Sequence, residues 1–149
     1  MTKRQFIITE IIRILYIILF VYASVNKLMD VEKFRVQIGQ SPMLTDIAGL
    51  VAWAIPTVEI IIALCLSIPK YKLVGFYAAF GLMIAFTGYI IAITQFSQYI
   101  PCSCGGILEK LGWTEHLIFN IVFDLLAITA ILLSSKSTKT EESYSTHYS

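Results

Sequence analysis

The stretch YKLVGFYAAFGLMIAFTGYIIAITQ, residues 71–95, decides the fold, because it runs for 25 residues with no charged side chain after Lys72. A helix of that length covers about 37 Å at 1.5 Å per residue, enough to cross the ~30 Å hydrocarbon core of a bilayer. Similar apolar runs occur at residues 6–28, 46–68 and 113–134. The pattern therefore predicts four membrane-spanning helices.

The composition also indicates a lipid bilayer as the surroundings of the chain. Of 149 residues, 57% are hydrophobic and 14% charged, and the mean hydropathy is +0.76, which leaves too little polar surface for a soluble globule. The net charge of +1 and the lack of a basic stripe argue against a nucleic-acid partner. We predict an all-α, polytopic membrane protein with a four-helix bundle over residues 1–134 and a polar, disordered tail over residues 135–149.

Basic residues beside the spans predict the orientation, because Lys and Arg are enriched in cytoplasmic loops. The bias places both termini in the cytoplasm and the loop after the third span outside. Alternatively, the first span is a cleaved signal peptide, although Glu10 and Arg13 interrupt it; either way that loop stays outside. Basic residues on the cytoplasmic side are Lys3, Arg4, Lys70, Lys72, Lys136 and Lys139, against Lys27, Lys33, Arg35 and Lys110 on the other side.

Polar side chains inside the predicted spans form a first candidate site. Glu59 falls near the bilayer midplane, where an acid is unfavourable unless protonated or partnered; a proton or quinone site and a hydrogen bond between helices both remain open. His116, Asn120 and Asp124 are spaced four apart and share one helical face. We expect this face to point into the bundle and Asp124 to meet Glu59, in a functional site or in contacts that hold the helices together.

Other features have structural interpretations. Glu10 and Arg13 lie three residues apart and are expected to pair near the cytoplasmic end of the first span. Cys65 is interpreted as a small buried hydrophobic residue, and residues 29–40 are compatible with a short helix on the membrane surface. Small residues recur every three or four positions in the third span and predict its packing face in the bundle: Ala78, Gly81, Ala85, Gly88 and Ala92.

Cys102 and Cys104 lie between the third and fourth spans, in the stretch PCSCGG at residues 101–106. Outside the cytoplasm a disulfide can form and persist, and a bridge across one intervening residue is strained and easily reduced. The glycines free backbone amides to face a sulfur, and His116 could add positive potential that favours a thiolate. Redox exchange is the leading interpretation; a Cu(I) or zinc site with His116 as third ligand and a static clip of the loop remain open.

Together these motifs resemble the MauE branch of the DoxX-like membrane proteins over nearly all of residues 6–134. The Cys-x-Cys-Gly-Gly loop is the most specific of them. The others are an Asn-Lys pair at the end of the first span, a Phe in the next loop, a Pro-x-x-Glu in the second span, and a Trp and an Asn in the fourth. In this chain these are Asn26, Lys27, Phe34, Pro56, Glu59, Trp113 and Asn120.

The resemblance implies a bacterial inner-membrane protein that handles thiols and disulfides with a thioredoxin-like or disulfide-bearing periplasmic partner. In the methylamine utilisation system, it implies help in maturing a disulfide-rich dehydrogenase subunit, although methylamine as a substrate does not carry over. Cys102 and Cys104 would be the catalytic pair, with Glu59 and Asn120 in support. No metal or cofactor is assigned, and a quinone is left open without support from the sequence. Whether the chain is an enzyme stays open, since a non-catalytic subunit or assembly factor of a larger membrane complex is the alternative.

Overall fold

Nearly all residues that the structure describes are in helices. The computed structural model describes residues 2–41, 44–96 and 112–146. Four of the helices in these residues are long and apolar enough to cross a membrane, which confirms the predicted all-α fold with four spans. The helices are α1 (Lys3–Met29), α2 (Val31–Gly39), α3 (Ala48–Ser67), α4 (Lys72–Phe96) and α5 (Trp113–Thr146), with single 3-10 turns before α3 and α4.

The four spanning helices alternate in direction and form a ring in the order α1, α3, α4, α5, each packed against its two neighbours. The ring closes between α1 and α5, where the Tyr16 hydroxyl donates a 2.6 Å hydrogen bond to the Phe123 carbonyl and the two aromatic rings meet edge-on. Buried side chains from all four helices fill the centre: Ile12, Tyr16, Phe20, Ile62, Ala63, Leu66, Phe76, Ala79, Met83, Ala127, Ala130 and Ile131.

The outer surface of this ring is apolar. Large hydrophobic side chains are exposed on every spanning helix, for example Ile18, Leu64, Val74 and Leu125. In water, an apolar surface of this extent would drive association. It is therefore the surface that meets the acyl chains of the bilayer.

The short helix α2 packs against the first turns of α3. Phe34 and Ile38 are buried against Ala48 and Ala52, and these residues form a second, smaller core. The short helix expected after the first span is therefore present, and its apolar face is covered by protein.

Helix α4 presents a different face to the bundle from the one predicted. Its small residues lie mostly on the outside, and nothing comes within 4 Å of a Cβ placed at Gly81 or Gly88. The predicted packing face is therefore wrong, because larger side chains fill the interior on the opposite side of the helix. Ala78, Gly81, Ala85 and Gly88 are exposed and Ala92 half-buried, whereas Phe76, Ala79, Met83, Ile90 and Ile93 are buried.

Glu10 binds two cations at the end of the bundle that carries the N-terminus. The Arg13 Nη2 lies 2.9 Å from its Oε2, and the Lys72 Nζ lies 3.2 Å from its Oε1. The predicted pair of Glu10 with Arg13 is confirmed. Lys72 adds a link from α1 to the start of α4.

Helix α5 is longer than expected at its C-terminal end. It continues to Thr146, so residues 135–146, predicted to be disordered, are helical in the structure. These residues include no Gly or Pro, the two residue types that most strongly interrupt a helix. With 34 residues, α5 is about 51 Å long and extends well beyond the thickness of the hydrocarbon core.

Candidate functional site

A buried ion pair joins α1 to α3. The Nζ of Lys27 donates to the Oε1 of Glu59 at 2.6 Å, and the side chains are 6% and 1% exposed. A lone charge at such a site is strongly unfavourable, and a partner of opposite sign offsets much of the penalty. Each residue therefore allows the other to lie inside the bundle.

This pairing was not predicted from the sequence. Lys27 was expected at the outer surface, and Glu59 was expected to meet Asp124. Lys27 lies two residues before the end of α1 and Glu59 eleven residues after the start of α3, so the pair links the last turn of α1 to the middle of α3. The signal that could have found the pair is charge, because an acid inside one span needs a base. Of the two bases in the first span, Arg13 is expected to pair with Glu10, which leaves Lys27 for Glu59.

Two aromatic rings flank the Lys27 ammonium. Its Nζ lies 5.7 Å from the ring centroid of Phe34, on α2, and 5.7 Å from that of Phe86, on α4. The negative face of an aromatic ring attracts a cation, and more strongly where water is excluded. Through Phe34, helix α2 thus covers the ion pair of Lys27 and Glu59.

The polar face of α5 points into the bundle, as predicted. His116, Asn120 and Asp124 are 6%, 3% and 6% exposed. His116 and Asn120 line a cavity beside the ion pair, whereas Asp124 accepts a 3.0 Å hydrogen bond from the Thr87 hydroxyl of α4. The expected contact of Asp124 with Glu59 is wrong, because Glu59 pairs with Lys27 and Asp124 with Thr87.

This cavity has a volume of about 340 Å³ and lies between the spanning helices. Small-molecule sites in proteins occupy roughly 300–1,000 Å³, so the space is large enough for a ligand. Most of the wall is apolar and includes the rings of Phe20, Phe86 and Phe119. All four spanning helices also contribute polar side chains, which are Lys27, Glu59, Tyr89, His116 and Asn120.

Three polar atoms at the cavity have no hydrogen-bond partner within the described part of the chain. They are the Oε2 of Glu59, the hydroxyl of Tyr89 and the Nδ2 of Asn120, and all three atoms are buried. An unsatisfied buried polar group is unfavourable by about 1–3 kcal/mol, and acyl chains cannot satisfy it. The cavity is therefore lined by side chains that carry polar atoms for which the described residues supply no partner.

The predicted catalytic cysteines, Cys102 and Cys104, lie outside the described residues, so their role stays a prediction. They belong to residues 97–111, which join the end of α4 to the start of α5. These helix ends are on the cavity's side of the bundle, because Tyr89 and His116 line the cavity within about two turns of them. Cys65 is a half-buried free thiol near the opposite end, two residues before α3 finishes.

Metal binding was the main chemical alternative for the cysteines. Across residues 2–41, 44–96 and 112–146, no cluster of three or more His, Cys, Asp or Glu side chains is arranged to hold a metal ion. The Cu(I) or zinc site considered above would combine His116 with Cys102 and Cys104, which fall outside those ranges. That alternative also stays a prediction.

Comparison with known proteins identifies a matching family. The family described as "Methylamine utilisation protein MauE" matches residues 5–133. A curated protein named methylamine utilization protein MauE, from Paracoccus denitrificans, is 29% identical over 121 residues, which cover 78% of this chain and 64% of the relative. The chain therefore spans less than two thirds of that relative's length. No solved structure matches.

Proposed function

The chain belongs to the MauE family of membrane proteins, and from that premise we propose that Cys102 and Cys104 exchange a disulfide with a thioredoxin-like or other disulfide-bearing protein. The observation that carries the proposal is the sequence Cys-Ser-Cys-Gly-Gly in the segment that joins α4 to α5. Two thiols one residue apart in a short polar break between apolar spans are hard to explain by packing. The wider DoxX-like grouping stays a prediction.

The exchange proceeds through a mixed disulfide. A thiolate of the partner attacks one sulfur of the Cys102–Cys104 disulfide, and the bond between these two sulfurs breaks as the new one forms. The partner's second thiolate then attacks the mixed disulfide and releases both cysteines as thiols. Two electrons and two protons pass from the partner's dithiol to this protein, and the reverse sequence reduces a partner disulfide.

The proposal includes insertion in the bacterial inner membrane with both termini in the cytoplasm and the cysteines in the periplasm. The distribution of Lys and Arg supports this orientation. Lys27, which was counted among the outer residues, is buried in an ion pair inside the bundle and so is not a loop residue. Without it, the excess of basic residues on the side of the termini is larger.

A role in methylamine utilisation is also part of the proposal. Its support is the name that the matching family and the relative share. Deletion of the gene from its host tests the role. Slow growth on methylamine with normal growth on another carbon source is the expected result, and equal growth on both would contradict it.

A non-catalytic subunit or assembly factor is the second candidate function. The observation that favours it is the outward position of the small residues of α4, including Gly81 and Gly88, since small residues let helices of different membrane proteins approach closely. In this case Cys102 and Cys104 only clip their segment. The partner is then retained when both cysteines are replaced.

Cysteine substitutions separate these two functions. With Cys104→Ser, the remaining Cys102 should hold a partner as a mixed disulfide that can be isolated and identified, and Cys65→Ser serves as the matched control. The double variant Cys102→Ser/Cys104→Ser should lose function at normal abundance. If the double variant keeps full function, or if only the protein's abundance falls, the exchange function is contradicted.

A further inference from the structure

The cavity between the spans has the composition of a binding site for a molecule dissolved in the membrane. Glu59 and Asn120, each more than nine-tenths buried, line this space together with Tyr89, and each of the three carries one buried polar atom without a hydrogen-bond partner among the described residues. These atoms come from three different helices. The bundle is therefore arranged around polar groups that its described side chains leave without partners.

Water alone is a poor occupant of such a cavity. Each water occupies about 30 Å³ in the liquid, so about 340 Å³ would hold on the order of ten molecules. Most of them would face apolar side chains such as Phe20, Met83 and Ile90, where they find no hydrogen-bond partner. A molecule with a compact polar head and an apolar body fits both parts of the wall.

The charges and donors at the cavity define the head of that molecule. Lys27 and Glu59 neutralise each other, so a neutral head is favoured over an ionised one, and a carboxylate would be repelled by the free Oε2 of Glu59. The Nδ2 of Asn120 requires an acceptor such as a carbonyl, whereas Glu59 Oε2 requires a donor such as a hydroxyl. The Tyr89 hydroxyl can serve either way.

Aromatic side chains define the shape of the body. Phe20, Phe86, Phe119 and Tyr89 all line the cavity, and aromatic rings pack well against a flat ring. Ala85 lines the cavity and is also exposed, and we infer that the cavity reaches the outside of the bundle beside it. An apolar tail can leave there toward the lipid.

We propose that this cavity binds a membrane-soluble quinone or quinol, with the ring head between Asn120, Tyr89 and Glu59 and the tail beside Ala85. The carbonyl oxygens of a quinone can accept a hydrogen bond from Asn120, and the hydroxyl groups of a quinol can donate one to Glu59. Both forms are neutral and dissolve in the bilayer. The three residues assigned to the head all belong to spanning helices, and none lies in the segment of Cys102 and Cys104. Binding therefore does not depend on the disulfide exchange proposed above.

Titration of the purified full-length protein in nanodiscs with decylubiquinone tests the proposal, with tyrosine and tryptophan fluorescence as the readout. Saturable binding is expected, and Asn120→Leu should weaken it roughly tenfold because a buried hydrogen bond is lost. The matched control is Asn26→Leu, since Asn26 bonds only to its own helix at the Tyr22 carbonyl among the contacts described for it and does not line the cavity. Ala85→Phe should also weaken binding, whereas Ala78→Phe, on the same helix but away from the cavity, should not.

Four results would overturn the proposal. They are an absence of saturable binding, equal affinities of Asn120→Leu and Asn26→Leu, equal affinities of Ala85→Phe and Ala78→Phe, and tighter binding of decanoic acid than of decylubiquinone, which would indicate a fatty-acid site. The variant Cys102→Ser/Cys104→Ser should bind as the unmodified protein does. Failure of disulfide exchange and failure of quinone binding are thus observed separately.

Discussion

The Lys27 ammonium on α1 lies 2.6 Å from the Glu59 carboxylate on α3, and both side chains are almost completely buried. Phe34 of α2 and Phe86 of α4 flank the ammonium, so four helices meet at this ion pair. The cavity with the unsatisfied atoms lies beside it. The pair therefore joins α1 to α3, two of the helices that line the candidate site.

Replacement of one member of the pair should destabilise the protein strongly. Lys27→Met leaves the Glu59 carboxylate buried without its cation, which should lower the free energy of unfolding by about 3–5 kcal/mol. The double variant Lys27→Met/Glu59→Leu should recover much of that loss. Unfolding of the purified protein in mild detergent measures the effect. Arg35→Met is the control, because Arg35 and Glu32 form an exposed pair at 3.5 Å; a similar loss in the control would contradict the interpretation.

Gly75 allows α3 and α4 to approach closely. A Cβ at this position would lie 2.9 Å from the Leu66 Cδ2 and 3.0 Å from the Leu66 backbone nitrogen, so Gly75→Ala should push the helices apart and destabilise the protein by about 1–3 kcal/mol. Gly81→Ala meets nothing within 4 Å and should be neutral or stabilising because alanine favours helix. Equal thermal unfolding of the two variants would argue against this packing.

The Tyr16 hydroxyl connects α1 to α5 through its 2.6 Å hydrogen bond to the Phe123 carbonyl. Tyr16→Phe keeps the ring in the core and removes this bond, and it should lower stability by about 1 kcal/mol. Tyr77 is exposed on α4, so Tyr77→Phe is a matched control with no expected change. The same loss in both variants would show that the hydrogen bond contributes nothing.

The proposed orientation makes a prediction about chemical labelling. In intact cells with the outer membrane permeabilised, a membrane-impermeant maleimide should label reduced Cys102 and Cys104 and leave Cys65 unlabelled, since Cys65 lies near the end of α3 on the side of the termini. A variant that retains only Cys65 provides the background. Labelling of Cys102 and Cys104 only after the inner membrane is lysed would place them in the cytoplasm.

The four spans could be predicted because the thickness of the bilayer sets both their length and their composition. The inward face of α5 could be predicted as well, because His116, Asn120 and Asp124 repeat at the helical period and polar groups avoid lipid. Both inferences use properties of a single helix. Neither requires knowledge of how two helices are offset.

Relations between helices were less accessible from the sequence. The partner of Glu59 depends on how α1 and α3 are aligned along their length, which the sequence of either helix alone does not show. Ala48 and Ala52, in the first turns of α3, pack against α2, so contacts outside the spans also enter into that alignment. Likewise, the small residues around Gly81 indicate a face for close approach but not whether the neighbour belongs to this bundle. Burial of Phe76 and Met83 on the opposite face decides this.

The most direct measurement of the central claim is the redox state of Cys102 and Cys104 in cells. Cells are held under oxidising or reducing conditions and then treated with acid, which stops thiol exchange. Free thiols are labelled with a reagent that adds mass, so the redox state is read as a change in the mass of the protein. A Cys65→Ser background ensures that only these two cysteines are counted. The account predicts that both thiols are protected at oxidising poise and labelled at reducing poise, and that Lys27→Met does not abolish this change if the protein remains folded. Cysteines that keep one state under all conditions would contradict the account.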